Sequence, residues 1–144
     1  MGFWLLLSLW ACVDSPCPAG TELAGNAPPE GLEQWCEDAQ GARHGPETSW
    51  DGQYRLSTEG WWHHGTKVGL WRRYWPGEVQ SEAHYVNGRI FGVERKYAND
   101  GTISYETPYL AGKIIGIKRS WSMQPKGSVR RHQGEVDGQR LGYT

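Results

Sequence analysis

The pattern Gly-x-x-x-Gly recurs at Gly41/Gly45, Gly65/Gly69, Gly88/Gly92, Gly112/Gly116 and Gly138/Gly142, with successive starts 24, 23, 24 and 26 residues apart. Five occurrences on one ruler make the chain a repeat. A repeat of this length is one supersecondary unit that buries its surface against its neighbours. The same glycine pattern on a membrane helix needs about 20 apolar residues around it. Here the flanks carry Arg, Lys, Glu and His.

Other columns follow the same ruler. Five residues after the second Gly stands an aromatic: Trp50, Tyr74, Tyr97 and Trp121. Leu56, Val79, Ile103 and Val129 precede the next pair by nine; Glu59, Glu82, Glu106 and then His132 precede it by six. Between the aromatic and the apolar column the steps are 6, 5, 6 and 8, so the length variation collects there. Two constant arms around a variable connection describe a β-hairpin. The connections carry turn residues: Asp51-Gly52, Pro76-Gly77, Asn99-Asp100-Gly101 and Pro125-Lys126-Gly127. The chain is therefore expected to be all-β, an elongated meander of hairpin repeats after a short irregular, disulfide-closed N-terminal segment.

Composition agrees. Hydrophobic residues make up 38% of the 144, with nine Trp and seven Tyr but two Phe, and 20 Gly. Such a chain lacks the aliphatic bulk of a helical bundle or a doubly wound α/β enzyme, yet is too aromatic to stay disordered. Thin β structure packed by rings is what remains. Charge is uneven: residues 12–51 carry a net −7 and residues 52–144 a net +6.

Gly41-Ala42-Arg43-His44-Gly45, Gly69-Leu70-Trp71-Arg72-Arg73-Tyr74-Trp75 and Ser81-Glu82-Ala83-His84-Tyr85-Val86-Asn87-Gly88 resemble the bacterial variant of the MORN repeat. The resemblance covers about residues 41–144, as units near 41–64, 65–87, 88–111 and 112–137 with a partial unit at 138–144. His132 and Glu135 depart from it in the fourth unit. It implies an elongated β array that binds or scaffolds, and it admits an immunity or antitoxin role with a toxin partner.

Residues 1–11 read MGFWLLLSLWA, too short to span a bilayer. Followed by Cys12, they resemble a bacterial lipoprotein signal, although Trp10 is bulky and no basic residue precedes the apolar run. Plain secretion and a core strand are the other readings of this segment. Lipidation of Cys12 leaves Cys17 and Cys36 to pair across an acidic head segment, 12–40, a staple of about 3 kcal/mol in the chain-entropy model. The expected location is the bacterial envelope, on the periplasmic or outer-membrane side, with the membrane reached through the lipid.

No catalytic constellation stands out, and neither enzymatic activity nor a cofactor is expected. Glu59, Glu82 and Glu106 form a repeat column, which favours a structural role such as facing the column of Arg72, Arg95 and Arg119. No metal set is expected either. Neighbours on a strand point to opposite faces, so His63 and His64 would share an ion only if they lay in a turn. Leu70, Val93 and Ile117 with Trp50, Tyr74, Tyr97 and Trp121 read as the core stripe. Trp71, Arg73 and Trp75 fall on the opposite face, where the other units place mostly polar residues. Exposed rings on a polar face suit a protein or glycan partner; the acidic head is the competing occupant. Lys113, Lys118, Arg119, Lys126, Arg130 and Arg131 suit anionic headgroups, and nucleic acid is not an expected partner.

Overall fold

The computed structural model describes residues 16–121 and, beyond them, two strands at 132–136 and 139–141. Everything in it is β. The strands are β1 (Thr21–Asn26), β2 (Glu33–Asp38), β3 (Arg43–Trp50), β4 (Leu56–His63), β5 (Thr66–Trp75), β6 (Glu78–Val86), β7 (Arg89–Ile90), β8 (Gly92–Tyr97), β9 (Ile103–Leu110), β10 (Lys113–Ile114), β11 (Lys118–Trp121), β12 (His132–Val136) and β13 (Gln139–Leu141). They form one open antiparallel sheet whose order follows the sequence, with the short β7 on β6 and β10 on β9. The first three hairpin tips fall at the turn residues the sequence marked; Pro125-Lys126-Gly127 lies outside the described residues. The head is not irregular: β1 and β2 pair from Thr21↔Asp38 to Asn26↔Glu33 and extend the same sheet. Its lack of hydrophobic alternation hid this, because most of its stabilisation is backbone pairing and the staple. The Cys17–Cys36 disulfide is present, with Cα atoms 5.5 Å apart, and Cys36 is buried.

Each glycine of a pair has its own task. The first closes a tight return: Asn87 and Gly88 both take positive φ, 49° and 75°, as a type I′ turn requires. The second, Gly92 at φ 91°, separates the two-residue β7 from the long arm β8. On the opposite arm each of the first three repeat hairpins has a bulge. Register shifts fall between Ser49 and Trp50, Arg73 and Tyr74, and Lys96 and Tyr97. The extra residue in each case, Ser57, Gln80 or Ser104, occupies one repeat column.

One face of the sheet carries a charge ladder. Arg72 lies between Glu59 at 3.3 Å and Glu82 at 3.7 Å; Arg95 lies between Glu82 at 3.4 Å and Glu106 at 3.2 Å; Arg119 reaches Glu106 at 3.7 Å. The tyrosines of the aromatic column brace it. Tyr74 donates to Glu59 at 2.5 Å and Tyr97 to Glu82 at 2.8 Å, each bond crossing into the preceding hairpin. This gives a physical reason for the repeating Glu, Arg and Tyr columns. Each exposed pair alone contributes under about 1 kcal/mol, but the ladder fixes the register of six successive strands.

The expected core stripe needs correction. Leu70, Val93 and Ile117 share the ladder's face yet are 41%, 39% and 39% exposed, because no second layer among the described residues covers them. The best-packed region lies on the other face, where Glu47, Trp71, Ala83 and Thr107 are buried.

Candidate functional site

The buried row follows from two repeat columns. Glu47 pairs with Gly60, Trp71 with Ala83, and Glu94 with Thr107. A large residue therefore always faces a small one. In the first and third units the large residue is an acid that accepts from the ring beside it: Trp62 Nε1 donates to Glu47 at 2.7 Å, and Tyr109 Oη to Glu94 at 3.3 Å. The second unit breaks this pattern by placing Trp71 where the others have Glu.

Trp71 is 6% exposed, although the sequence placed it among exposed contact rings. The strand face was assigned correctly; the covering was not. Gly60 has no side chain, and a Cβ built there would overlap the indole, so the ring lies flat on β4. Trp62 and Tyr85 meet it edge-on at centroid distances of 5.2 and 6.3 Å. Its Nε1 donates to the Trp61 carbonyl at 3.2 Å.

Lys67 completes the cluster. Its Nζ stands 3.8 Å from the centroid of Trp71, 5.3 Å from Trp62 and 5.7 Å from Tyr85. Such a cage stabilises the cation through the ring quadrupoles. Partial burial, with Arg73 and Arg43 nearby, holds the Lys67 ammonium below its usual pKa, while Glu47 pulls the other way. Arg43 continues the series towards the head. It pairs with Glu47 and with Glu33, and its guanidinium lies 4.5 Å from the Trp35 ring and 5.7 Å from Trp62.

Above this floor a cavity of about 350 Å³ opens between β5, β6, β8 and β9. Trp71, Arg73 and Trp75 all line it. Trp75 is 41% exposed, and Arg73 is exposed as well. Lys67, Lys96 and Tyr105 contribute further walls, and Glu94 is an acid among them. Among the described residues, none of the head lines this cavity; it packs as β1 and β2 on the far side of β3.

The remaining sequence candidates are placed as follows. Cys12 lies outside the described residues, as do Lys126, Arg130 and Arg131. Lys113 is exposed, and Arg119 belongs to the ladder. The sequence reading missed Glu47, Trp62, Lys67 and Tyr85 as parts of the site. The column Gly60, Ala83, Thr107, five residues before the second, third and fourth glycine pairs, was a usable signal. A small residue repeated in register marks where a large neighbour can lie flat. Comparison of the chain with protein-family models and with curated proteins gave no match.

Proposed function

We propose that this is a non-enzymatic binding or scaffolding protein of the bacterial envelope, anchored by lipid on Cys12 and built from MORN-type hairpin repeats. The observation that carries the binding role is that Trp71, Arg73 and Trp75 line a single cavity. It forms at the one unit among the first three where a ring replaces the repeat's acid. Trp75 offers a platform for a sugar ring or an apolar side chain. Arg73 offers paired donors to a carboxylate, and Lys67 and Lys96 favour an anion in the same space. Trp71 is the floor that holds these groups in place. The ligand class is a carboxylate-bearing group on a protein or glycan partner.

Tryptophan emission reports the test. An acidic oligosaccharide and a carboxylate-terminated aromatic peptide, titrated separately, should identify a quenching ligand. Trp75→Ala should weaken that binding by roughly 30-fold, the effect of losing an anchor of about 2 kcal/mol. Quenching indifferent to both Trp75→Ala and Arg73→Ala would remove the groove from consideration. The anchor is tested separately: the wild-type protein should partition into detergent, and Cys12→Ser should abolish processing or release the chain.

A further inference from the structure

We propose a divalent-metal site formed by His44, His63 and His64, suited to a late first-row cation and foremost to Zn²⁺. It lies at the β4–β5 turn beside the β2–β3 turn, apart from the aromatic groove, and does not depend on the function assigned to that groove.

Three observations converge. First, one ring nitrogen from each of the three histidines lies within 4.8 Å of the others, and the ring centroids are 4.3–5.0 Å apart. Tetrahedral zinc with Zn–N bonds of about 2.0–2.1 Å holds its nitrogens about 3.3 Å apart. Binding therefore requires the rings to draw together, and the exposed His63 is placed to move. Second, His44 Nδ1 is buried and has no hydrogen-bond partner among the described residues. A buried polar nitrogen without a partner is costly, and a bound cation or a ligand on it removes that cost. Third, His64 Nδ1 is 2.7 Å from Asp38 Oδ2. That carboxylate is itself fixed, because its Oδ1 accepts from the backbone N–H groups of Gln40 and Ala42 at 3.1 and 2.9 Å. A carboxylate behind an imidazole fixes the tautomer and leaves the other nitrogen free for a metal.

Backbone geometry brings the three rings together. His44 stands one step beyond the Gly45↔Trp62 pair, opposite the end of β4. His64 has φ 43° in the return turn, which breaks strand alternation and swings its ring to the side of His63. The Gly65 N–H donates to the Arg43 carbonyl at 2.8 Å, tying this turn to the start of β3. His63 and His64 are exposed, so the site is open to solvent. Three neutral imidazoles leave a fourth position for water, as in open zinc sites.

Equilibrium dialysis of the full chain with Zn²⁺ tests this, in a Cys12→Ser background so that no third cysteine can contribute a ligand. One equivalent should bind, and Co²⁺ in its place should give the intense visible bands of tetrahedral coordination. His63→Ala and His64→Ala should each weaken binding at least about 10-fold. The His63 side chain is exposed and stands at the end of a regular strand, so His63→Ala should leave metal-free melting unchanged, which separates lost ligation from lost folding. Asp38→Asn should weaken it about 10–100-fold, the usual effect of losing a carboxylate behind a ligand. His84→Ala, an exposed histidine outside the cluster, should have no effect. Absence of saturable binding at micromolar Zn²⁺, or an affinity indifferent to His63→Ala and His64→Ala, overturns the proposal.

Discussion

Replacing Trp71 by Ala should unfold the array at a much lower temperature, whereas replacing Trp75 should not. Both rings sit on one face of β5, four residues apart, so the comparison isolates covering from facing. Trp71 is 6% exposed and Trp75 41%. Removing a buried Trp costs about 3–5 kcal/mol, and less where the site can collapse. A single-layer sheet relaxes easily, which favours the lower end, about 3 kcal/mol. That figure includes the loss of the Lys67 cation–π contact and of the bond to the Trp61 carbonyl. For a domain near this size, 1 kcal/mol moves Tm by about 4 °C, so the midpoint should fall by roughly 12 °C. Trp75→Ala should stay within about 1 kcal/mol of wild type, as surface changes do. Thermal melting followed by far-UV circular dichroism measures both. If the two variants melt together, the packing assigned to Trp71 over Gly60 is wrong.

Gly60→Ala should be destabilising by about 1–3 kcal/mol, the range for overpacking, since its Cβ would overlap the Trp71 ring; chemical denaturation reads this directly. High pH should also unfold the sheet. Tyr74, Tyr97 and Tyr109 all have raised pKa values, first from burial and then from the carboxylates of Glu59, Glu82 and Glu94 beside them. A raised folded-state pKa gives stability that is present below the unfolded value of 10.0 and lost as pH rises through the folded one. The phenolate absorbance of these three should therefore appear late and together with unfolding, and their titration ahead of unfolding would contradict it. Two residues inserted at Pro76-Gly77, a two-residue tip closed by the Trp75↔Glu78 pair, should cost under about 1 kcal/mol in loop closure. The same insertion between Gly88 and Gly92 should be far more damaging, because it breaks the Tyr85↔Ile90 and Val86↔Arg89 pairs.

The meander was legible in the sequence because its determinants are local. Glycine pairs, turn residues and the confinement of length variation between two fixed columns specify hairpins without reference to distant contacts. The facing of the Glu column by the Arg column was legible for a related reason, since a repeat in register brings equivalent columns side by side; the Cys17–Cys36 staple was legible from cysteine parity. Alternation also assigned Trp71, Arg73 and Trp75 to a common face. Tertiary structure alone decided which face is covered. Alternation states where a side chain points, but burial depends on what lies across the strand. Leu70 meets open solvent, while Trp71 finds Gly60 on one side and Ala83 on the other. The histidine cluster was decided the same way. His44 and His64 are 20 residues apart, and they meet only because two tight turns of neighbouring hairpins lie side by side at one edge of the repeat.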